Sequence, residues 1–131
     1  MKNKSIQLSI ITITFNNHHL SRTLDSVLNQ KISPKLIEHI IVDNLSTDNT
    51  KNIVESYIKK APYEVTYIRE KDFGRYNAMN KGIKKASGKY LSFMNAGDKY
   101  YDETSLTTVL KNAEDKDIVY GNLNAINHDN S

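Results

Sequence analysis

Short oxygen-rich side chains follow four segments of the sequence that are rich in β-branched residues. These side chains come in pairs, Asn16 with Asn17, Asp43 with Asn44, Glu70 with Asp72, and Asn95 with Asp98. Carboxylate and amide oxygens are the ligands that Mg²⁺ and Mn²⁺ prefer, and an acidic site accepts a diphosphate only when a cation bridges the two. Any single one of these residues is better explained as a helix N-cap than as a ligand. Their recurrence after successive strands favours a site for a cation-bound diphosphate.

The elements that would position this site alternate between strand and helix. Period-two or β-branched runs predict strands, and apolar residues at helical spacing predict helices. We predict strands at residues 7–15, 36–42, 64–69, 89–94 and 117–120, and helices at 20–28, 53–60, 75–86 and 102–110. Gly88 is placed as the C-terminal stop of the third helix.

Strands separated by helices of this length imply right-handed crossovers and a parallel sheet. The predicted fold class is therefore α/β, a Rossmann-like nucleotide-binding sheet that is mainly parallel and has helices on both faces. Ligands of such sheets bind at the carboxyl ends of the strands. The paired polar residues should consequently meet at one edge.

Composition limits the kind of protein further. The 131 residues are 38% hydrophobic and 25% charged, which is typical of one soluble globular domain. The chain has no cysteine, so disulfides and thiolate metal sites are excluded. The net charge of +3 and pI near 9.0 fit a solvated lysine surface or a patch for anionic lipid or polymer, and we expect no nucleic-acid partner.

Two common nucleotide-binding motifs are missing. The stretch "GIKKASGKY" has the wrong glycine spacing for a phosphate loop, and Tyr90 stands where Ser or Thr is required. No G-x-G-x-x-G follows the first strand, which argues against a dinucleotide oxidoreductase. His18 and His19 lack a third ligand at a fixed spacing, and His39 is interpreted as structural because it lies within a strand.

Five blocks in order resemble the family 2 glycosyltransferases, inverting enzymes of the GT-A fold that use nucleotide-diphospho-sugars. The blocks are "SIITITFNN", "RTLDSVLNQ", "IIVDNLSTDNT", "EKDFGRYNAMNKGIKKASGKY" and "LSFMNAGD". The resemblance covers nearly the whole chain and includes features of the subgroup that acts in bacterial surface-polysaccharide assembly.

The resemblance implies roles for individual residues. Asp43 would accept from the imide N–H of a uracil base, and Asp72 would hold the ribose or base side of the donor. Arg75 would offset phosphate charge, and Ser46, Thr47 and Asp48 would cap the second helix. The nucleoside would be lined by Thr14, Phe15 and Asn16.

A divalent metal, Mg²⁺ or Mn²⁺, is implied as cofactor at the segment "NAGD". Only one carboxylate stands here where many relatives have two or three, so metal binding should rest on Asp98 with Asn95. We expect Asp98 to be a loop carboxylate that supports little core.

The resemblance also implies partners and a larger enzyme. Residues 1–131 would be the nucleotide-sugar-binding part, with the acceptor-binding half and the catalytic general base beyond Ser131, so this chain alone should be inactive. The acceptor would be a glycan or a lipid-linked glycan, and the location cytoplasmic. Peripheral association with the inner face of the cell membrane and homo-oligomer formation stay open. The alternative is a non-catalytic α/β nucleotide-binding or regulatory module.

Overall fold

The computed structural model describes residues 5–113 of the chain. Its strands are β1 (Leu8–Thr14), β2 (Ile37–Asp43), β3 (Glu64–Arg69) and β4 (Tyr90–Phe93). Its α-helices are α1 (Leu20–Leu28), α2 (Thr50–Lys60), α3 (Arg75–Lys85) and α4 (Ser105–Ala113), and a 3₁₀ turn (Pro34–Leu36) precedes β2. None of the helices in this part of the chain is long and apolar enough to cross a membrane. The predicted strand at 117–120 lies outside the described residues.

The four described strands form one sheet in the order β3-β2-β1-β4, and every neighbouring pair is parallel. The register pairs Thr14 with Asp43 and Asp43 with Arg69. The last residues of β1, β2 and β3 are therefore neighbours across the sheet, and the polar residues that follow these strands lie at the same edge. The predicted parallel sheet is confirmed.

Helices cover both faces of the sheet. Alternate side chains of β1 point to opposite faces: Ile10 packs in a cluster with residues of α1, α2 and α4, and Ile11 packs with Ala78 of α3. All seven residues of β2 are buried, as expected for a central strand covered on both faces. At Gly82 of α3 an added Cβ would lie 2.6 Å from Ile11 Cγ2, so this glycine lets α3 approach the sheet closely.

Gly88 does not end α3, contrary to the prediction. The helix ends at Lys85, and Ala86 is already extended. Gly88 instead lies against β1, where its N–H donates to Ser9 Oγ at 2.8 Å. A Cβ there would lie 2.7 Å from Ser9 N and 2.9 Å from the carbonyl carbon of Leu8. Close approach of two backbones, and not a left-handed turn, requires this glycine.

His39 is structural, as predicted. It is fully buried in the middle of β2, and its two ring nitrogens each lie 2.7 Å from a hydroxyl, that of Thr12 and that of Tyr57. The Tyr57 hydroxyl is in turn 2.6 Å from that of Tyr63. Burial lowers the pKa of His39 to about 3 and keeps the imidazole neutral, and burial raises the pKa of Tyr57.

The neutral state of His39 makes the fold sensitive to acid. Because its folded pKa of about 3 is below the unfolded value of 6.5, its contribution is complete above pH 6.5 and is lost as pH falls toward 3. Between pH 7 and pH 5 we expect a loss of about 2 kcal/mol in the free energy of unfolding. Urea denaturation at both pH values measures it. A His39→Gln variant should lack this part of the change, and an equal change in both proteins would contradict the assignment.

Candidate functional site

A cleft of about 480 Å³ opens at the carboxyl ends of the strands, where ligands of parallel α/β sheets bind. Its walls come from the loops after all four strands, and they consist of Ile13, Thr14, Phe15, Asn17, Asn44, Asp72, Gly74, Arg75, Asn95 and Ala96. Five of the predicted site residues line it, namely Thr14, Phe15, Asp72, Arg75 and Asn95. The other three, Asn16, Asp43 and Asp98, do not. A second cavity, of about 280 Å³, lies between α1 and α2.

Thr14 gives the cleft a polar atom without a partner. Its side chain is 2% exposed, and within residues 5–113 its Oγ1 is the single buried side-chain nitrogen or oxygen that makes no hydrogen bond. Buried hydroxyls are nearly always satisfied by protein, water or ligand. A polar group of a bound molecule is a suitable partner here, because Thr14 lines the cleft.

Asp43 lies directly beneath the cleft and is completely buried. Its Oδ1 accepts from the backbone N–H of Ser46 at 3.0 Å and from Ser46 Oγ at 2.5 Å. Its Oδ2 accepts from the Tyr67 hydroxyl at 2.6 Å and lies 3.9 Å from Arg69 Nε. Oδ2 has a free lone pair, but the side chain has no exposed surface, so a base reaches this carboxylate only where a neighbour such as Tyr67 moves aside. The contact with a base stays a prediction.

Sequence reasoning missed Tyr67 and Arg69 as members of the site. Burial first, and then the hydrogen bond to Asp43, raise the pKa of Tyr67, so the phenol is a hydrogen-bond donor at neutral pH. Arg69 Nη2 also donates to the carbonyl of Ser46 at 3.1 Å. The available signal was the parallel register, which places Arg69 beside Asp43.

Asn16 joins the loops after β1 and β2 and does not line the cleft. Its φ of 45° lies in the left-handed region, which asparagine tolerates better than most residues. Its Oδ1 accepts from the N–H of Thr47 at 2.8 Å, and its own N–H donates to Ser46 Oγ at 2.9 Å. Ser46 and Thr47 therefore do not cap α2 as predicted. Asp48 does act at the start of α2, since it accepts from the N–H of Thr50 at 2.9 Å.

The loop before α3 presents groups that suit an anion. Asn44 Oδ1 accepts from the N–H of Asp72 at 3.0 Å, and Asp72 Oδ1 accepts from the N–H of Gly74 at 3.2 Å. Gly74, with φ of 110°, then turns the chain into α3, whose first turn has no side-chain cap. Uncapped N–H groups and Arg75 make this wall of the cleft electropositive beside the half-buried Asp72.

Asn95 and Asp98 bracket a tight turn after β4. Asn95 lines the cleft, and the N–H of Asp98 donates to the Asn95 carbonyl at 3.0 Å. Asp98 lies in the loop after β4, as predicted, but it is only 5% exposed. Its carbonyl accepts from Thr23 Oγ1 at 2.5 Å, which anchors its main chain to α1.

The fit of a divalent cation to this turn is limited by the number of ligands. Among residues 5–113 no three His, Cys, Asp or Glu side chains form a group that could hold a metal ion. A cation that bridges a diphosphate needs only one or two protein ligands, because phosphate and water supply the others. Asn95 and Asp72 line the cleft and supply two oxygen ligands of the kind required, and Asp98 lies in the same turn as Asn95.

A parallel α/β sheet with a polar cleft at its strand ends is the architecture of many nucleotide-binding proteins. The chain belongs to glycosyl transferase family 2, because the sequence model of that family matches residues 9–131. It is 40% identical over 95 residues to an uncharacterized glycosyltransferase of Mycobacterium tuberculosis (strain ATCC 25618 / H37Rv), covering 71% of this chain and 34% of that protein. The resemblance seen in the five sequence blocks is confirmed.

Two other relatives agree with this membership. The minor teichoic acid biosynthesis protein GgaB of Bacillus subtilis (strain 168) is 30% identical over 98 residues, or 74% of this chain and 11% of that protein. The structure of S. aureus TarS 1-349 in complex with UDP-GlcNAc superposes with a TM-score of 0.74 at 25% identity, over 83% of this chain and 31% of that one. The GT-A fold is thereby confirmed, and the chain spans about a third or less of these relatives.

Proposed function

We propose that this chain binds the sugar donor of an inverting glycosyltransferase, with a UDP-sugar as donor. The observation that carries the proposal is the cleft itself, which is lined by Thr14, whose buried hydroxyl has no partner, and by Arg75 at the uncapped start of α3. S. aureus TarS, which shares the fold, is described in complex with UDP-GlcNAc. Membership of family 2 supports the same substrate class.

The nucleoside is assigned to the wall formed by the end of β1. Phe15 lines the cleft and is 57% exposed, so its ring is available to a base. Uracil presents an N–H between two carbonyls, which suits one carboxylate and one donor. Asp43 and the hydroxyl of Thr14 supply such a pair, provided that Asp43 is released from Tyr67.

The diphosphate is assigned to the opposite wall, at the start of α3. Arg75 and the first N–H groups of α3 attract the phosphates. The turn at 95–98 would hold a divalent cation through Asn95 and Asp98, and a bound cation would neutralise charge on the leaving diphosphate. Positive groups placed at this leaving group favour displacement at the anomeric carbon.

The reaction is assigned as transfer with inversion to a glycan or lipid-linked acceptor. GgaB, a relative of this chain, is named for teichoic acid biosynthesis, which supports a cell-surface polymer as product. Direct displacement by an acceptor hydroxyl inverts the anomeric centre and requires a general base. NMR of the product of the whole enzyme measures the anomeric configuration, and a retained configuration would contradict this part of the proposal.

Calorimetric titration of the chain with UDP, GDP and ADP, each with and without Mn²⁺, tests the donor assignment. We expect UDP to bind at least about tenfold more tightly than GDP or ADP, because the Asp43 carboxylate matches an imide flanked by carbonyls. Arg75→Ala should weaken UDP binding and leave uridine binding unchanged. Absence of binding by every nucleotide, with or without Mn²⁺, would overturn the proposed function.

A further inference from the structure

We infer that Thr23 and Arg22, on the first turn of α1, are positioning residues of the donor site, although neither lines the cleft. They hold the turn at residues 95–98, whose first two residues form one wall of the cleft. The inference rests on the proposed function, since it states which residues give that wall its geometry.

Thr23 inserts one hydroxyl into the turn. The side chain is completely buried, and its Oγ1 accepts from the N–H of Gly97 at 2.8 Å. The same oxygen donates to the carbonyl of Asp98 at 2.5 Å, with the carbonyl of Asn95 at 3.4 Å. A hydroxyl both donates and accepts, so one atom satisfies both sides of the turn. A methyl group in its place would remove the hydrogen bonds to the N–H of Gly97 and to the carbonyl of Asp98.

Arg22 fixes the turn from its outer side. Its Nε and Nη2 both donate to the carbonyl of Gly97, at 3.0 and 2.7 Å. Gly97 has φ of 99°, a conformation that side-chain-bearing residues rarely adopt. Glycine adopts this φ readily but is also conformationally free, so two donors on one carbonyl restrict the orientation of a peptide that would otherwise be flexible. Asn17 adds a third contact, from its Nδ2 to the carbonyl of Ala96 at 3.0 Å.

Helix α1 is held in place by apolar packing, so its polar side chains can position the turn. Leu20, Leu24 and Val27 are all buried against the sheet in the larger apolar cluster. The polar contacts of Thr23 and Arg22 thus link the turn to a helix that is held in place by packing. The turn is also linked to β1, because the N–H of Ala96 donates to the carbonyl of Ile13 at 3.2 Å. Contacts from α1 bind the following residues, Gly97 and Asp98.

Affinity for UDP with Mn²⁺, measured by calorimetry, tests this role against a merely structural one. Thr23→Val keeps the shape of the side chain and removes the hydroxyl, and we expect about tenfold weaker binding. Thr23→Ser restores the hydroxyl and should bind within about twofold of the natural protein. Thr12→Val is the matched control, because it removes another completely buried threonine hydroxyl, which is paired with His39 Nε2 at 2.7 Å and not with the turn. It should lower the melting temperature and leave the affinity unchanged.

Arg22→Ala is a second variant that tests the role of α1 even if Thr23→Val does not fold. Arg22 is only partly buried, so we expect its replacement to leave the core intact. We expect about threefold to tenfold weaker binding of UDP with Mn²⁺. Natural affinity in both Arg22→Ala and folded Thr23→Val, while the unmodified chain binds UDP, would overturn this inference alone. Equal weakening in Thr12→Val would also overturn it, since general destabilisation would then explain the loss. Failure of the unmodified chain to bind any nucleotide would overturn the proposed function and this inference together.

Discussion

Removal of divalent cations with EDTA is expected to weaken the binding of UDP at least about a hundredfold, or about 2.7 kcal/mol. Among the described residues that line the cleft, Arg75 is the one cationic side chain and Asp72 the one carboxylate. A diphosphate placed between them has too little positive charge to offset its own, so a cation must supply the rest. Calorimetric titration in Mn²⁺ and in EDTA measures the difference.

Uridine is the control for this experiment, because it has no phosphate and its affinity should not depend on Mn²⁺. Asp98→Asn and Asp72→Asn separate the two carboxylates that could hold the cation. We expect Asp98→Asn to abolish most of the dependence on Mn²⁺ and Asp72→Asn to reduce it less. The reverse order would move the cation to Asp72, and equal UDP affinity in Mn²⁺ and EDTA would show that no cation is needed.

The strands and helices of the described residues could be predicted from sequence because their signals are local. Glu64–Arg69 begins and ends where the alternation of side chains predicts, and the other described strands differ from prediction by one or two residues. The parallel arrangement followed from the helices between strands, since a crossover of that length leaves few other topologies. Pattern and connectivity were thus enough to place the polar loops at one edge.

The arrangement within that edge could not be predicted, because it depends on contacts between distant segments. Asn16 looks like a lining residue by its place after β1, yet its left-handed backbone turns the side chain toward Thr47, 31 positions away in sequence. The main chain of Asp98 is held by α1, through a hydrogen bond from Thr23, 75 positions away. Gly88 was assigned to helix termination, whereas its contact with Ser9 is set by the sheet. Sequence gives the residue types at an edge, and packing decides which of them face the ligand.

Asp43 can have two roles, a structural role in holding the loop after β2 and a binding role at the base. The sequence gives it a position after β2, and the register adds Tyr67 and Arg69 as neighbours on β3. Its buried carboxylate holds the loop through Ser46, and it lies below the wall assigned to the base. The structural role and the binding role predict different effects on uridine affinity when Asp43 or its partner Tyr67 is substituted.

Asp43→Ala is expected to lower the free energy of unfolding by about 3 kcal/mol, because the backbone N–H of Ser46 and the hydroxyls of Ser46 and Tyr67 lose a charged acceptor. Chemical denaturation measures this loss. In the fraction that remains folded, the affinity for uridine should fall about tenfold to a hundredfold, since a base N–H also loses its acceptor. Asp43→Asn keeps the shape and should lower stability less.

Tyr67→Phe is the matched variant that separates the two roles of Asp43. It removes the one hydroxyl that holds Oδ2 and leaves both contacts of Ser46 with Oδ1 in place. If the base binds Oδ2, uridine no longer competes with Tyr67, so its affinity should stay the same or rise while stability falls by about 1 kcal/mol. If Asp43 only anchors the loop, neither Tyr67→Phe nor folded Asp43→Ala will change uridine affinity. That result would remove Asp43 from the nucleoside site and leave Thr14 and Phe15 as its described contacts.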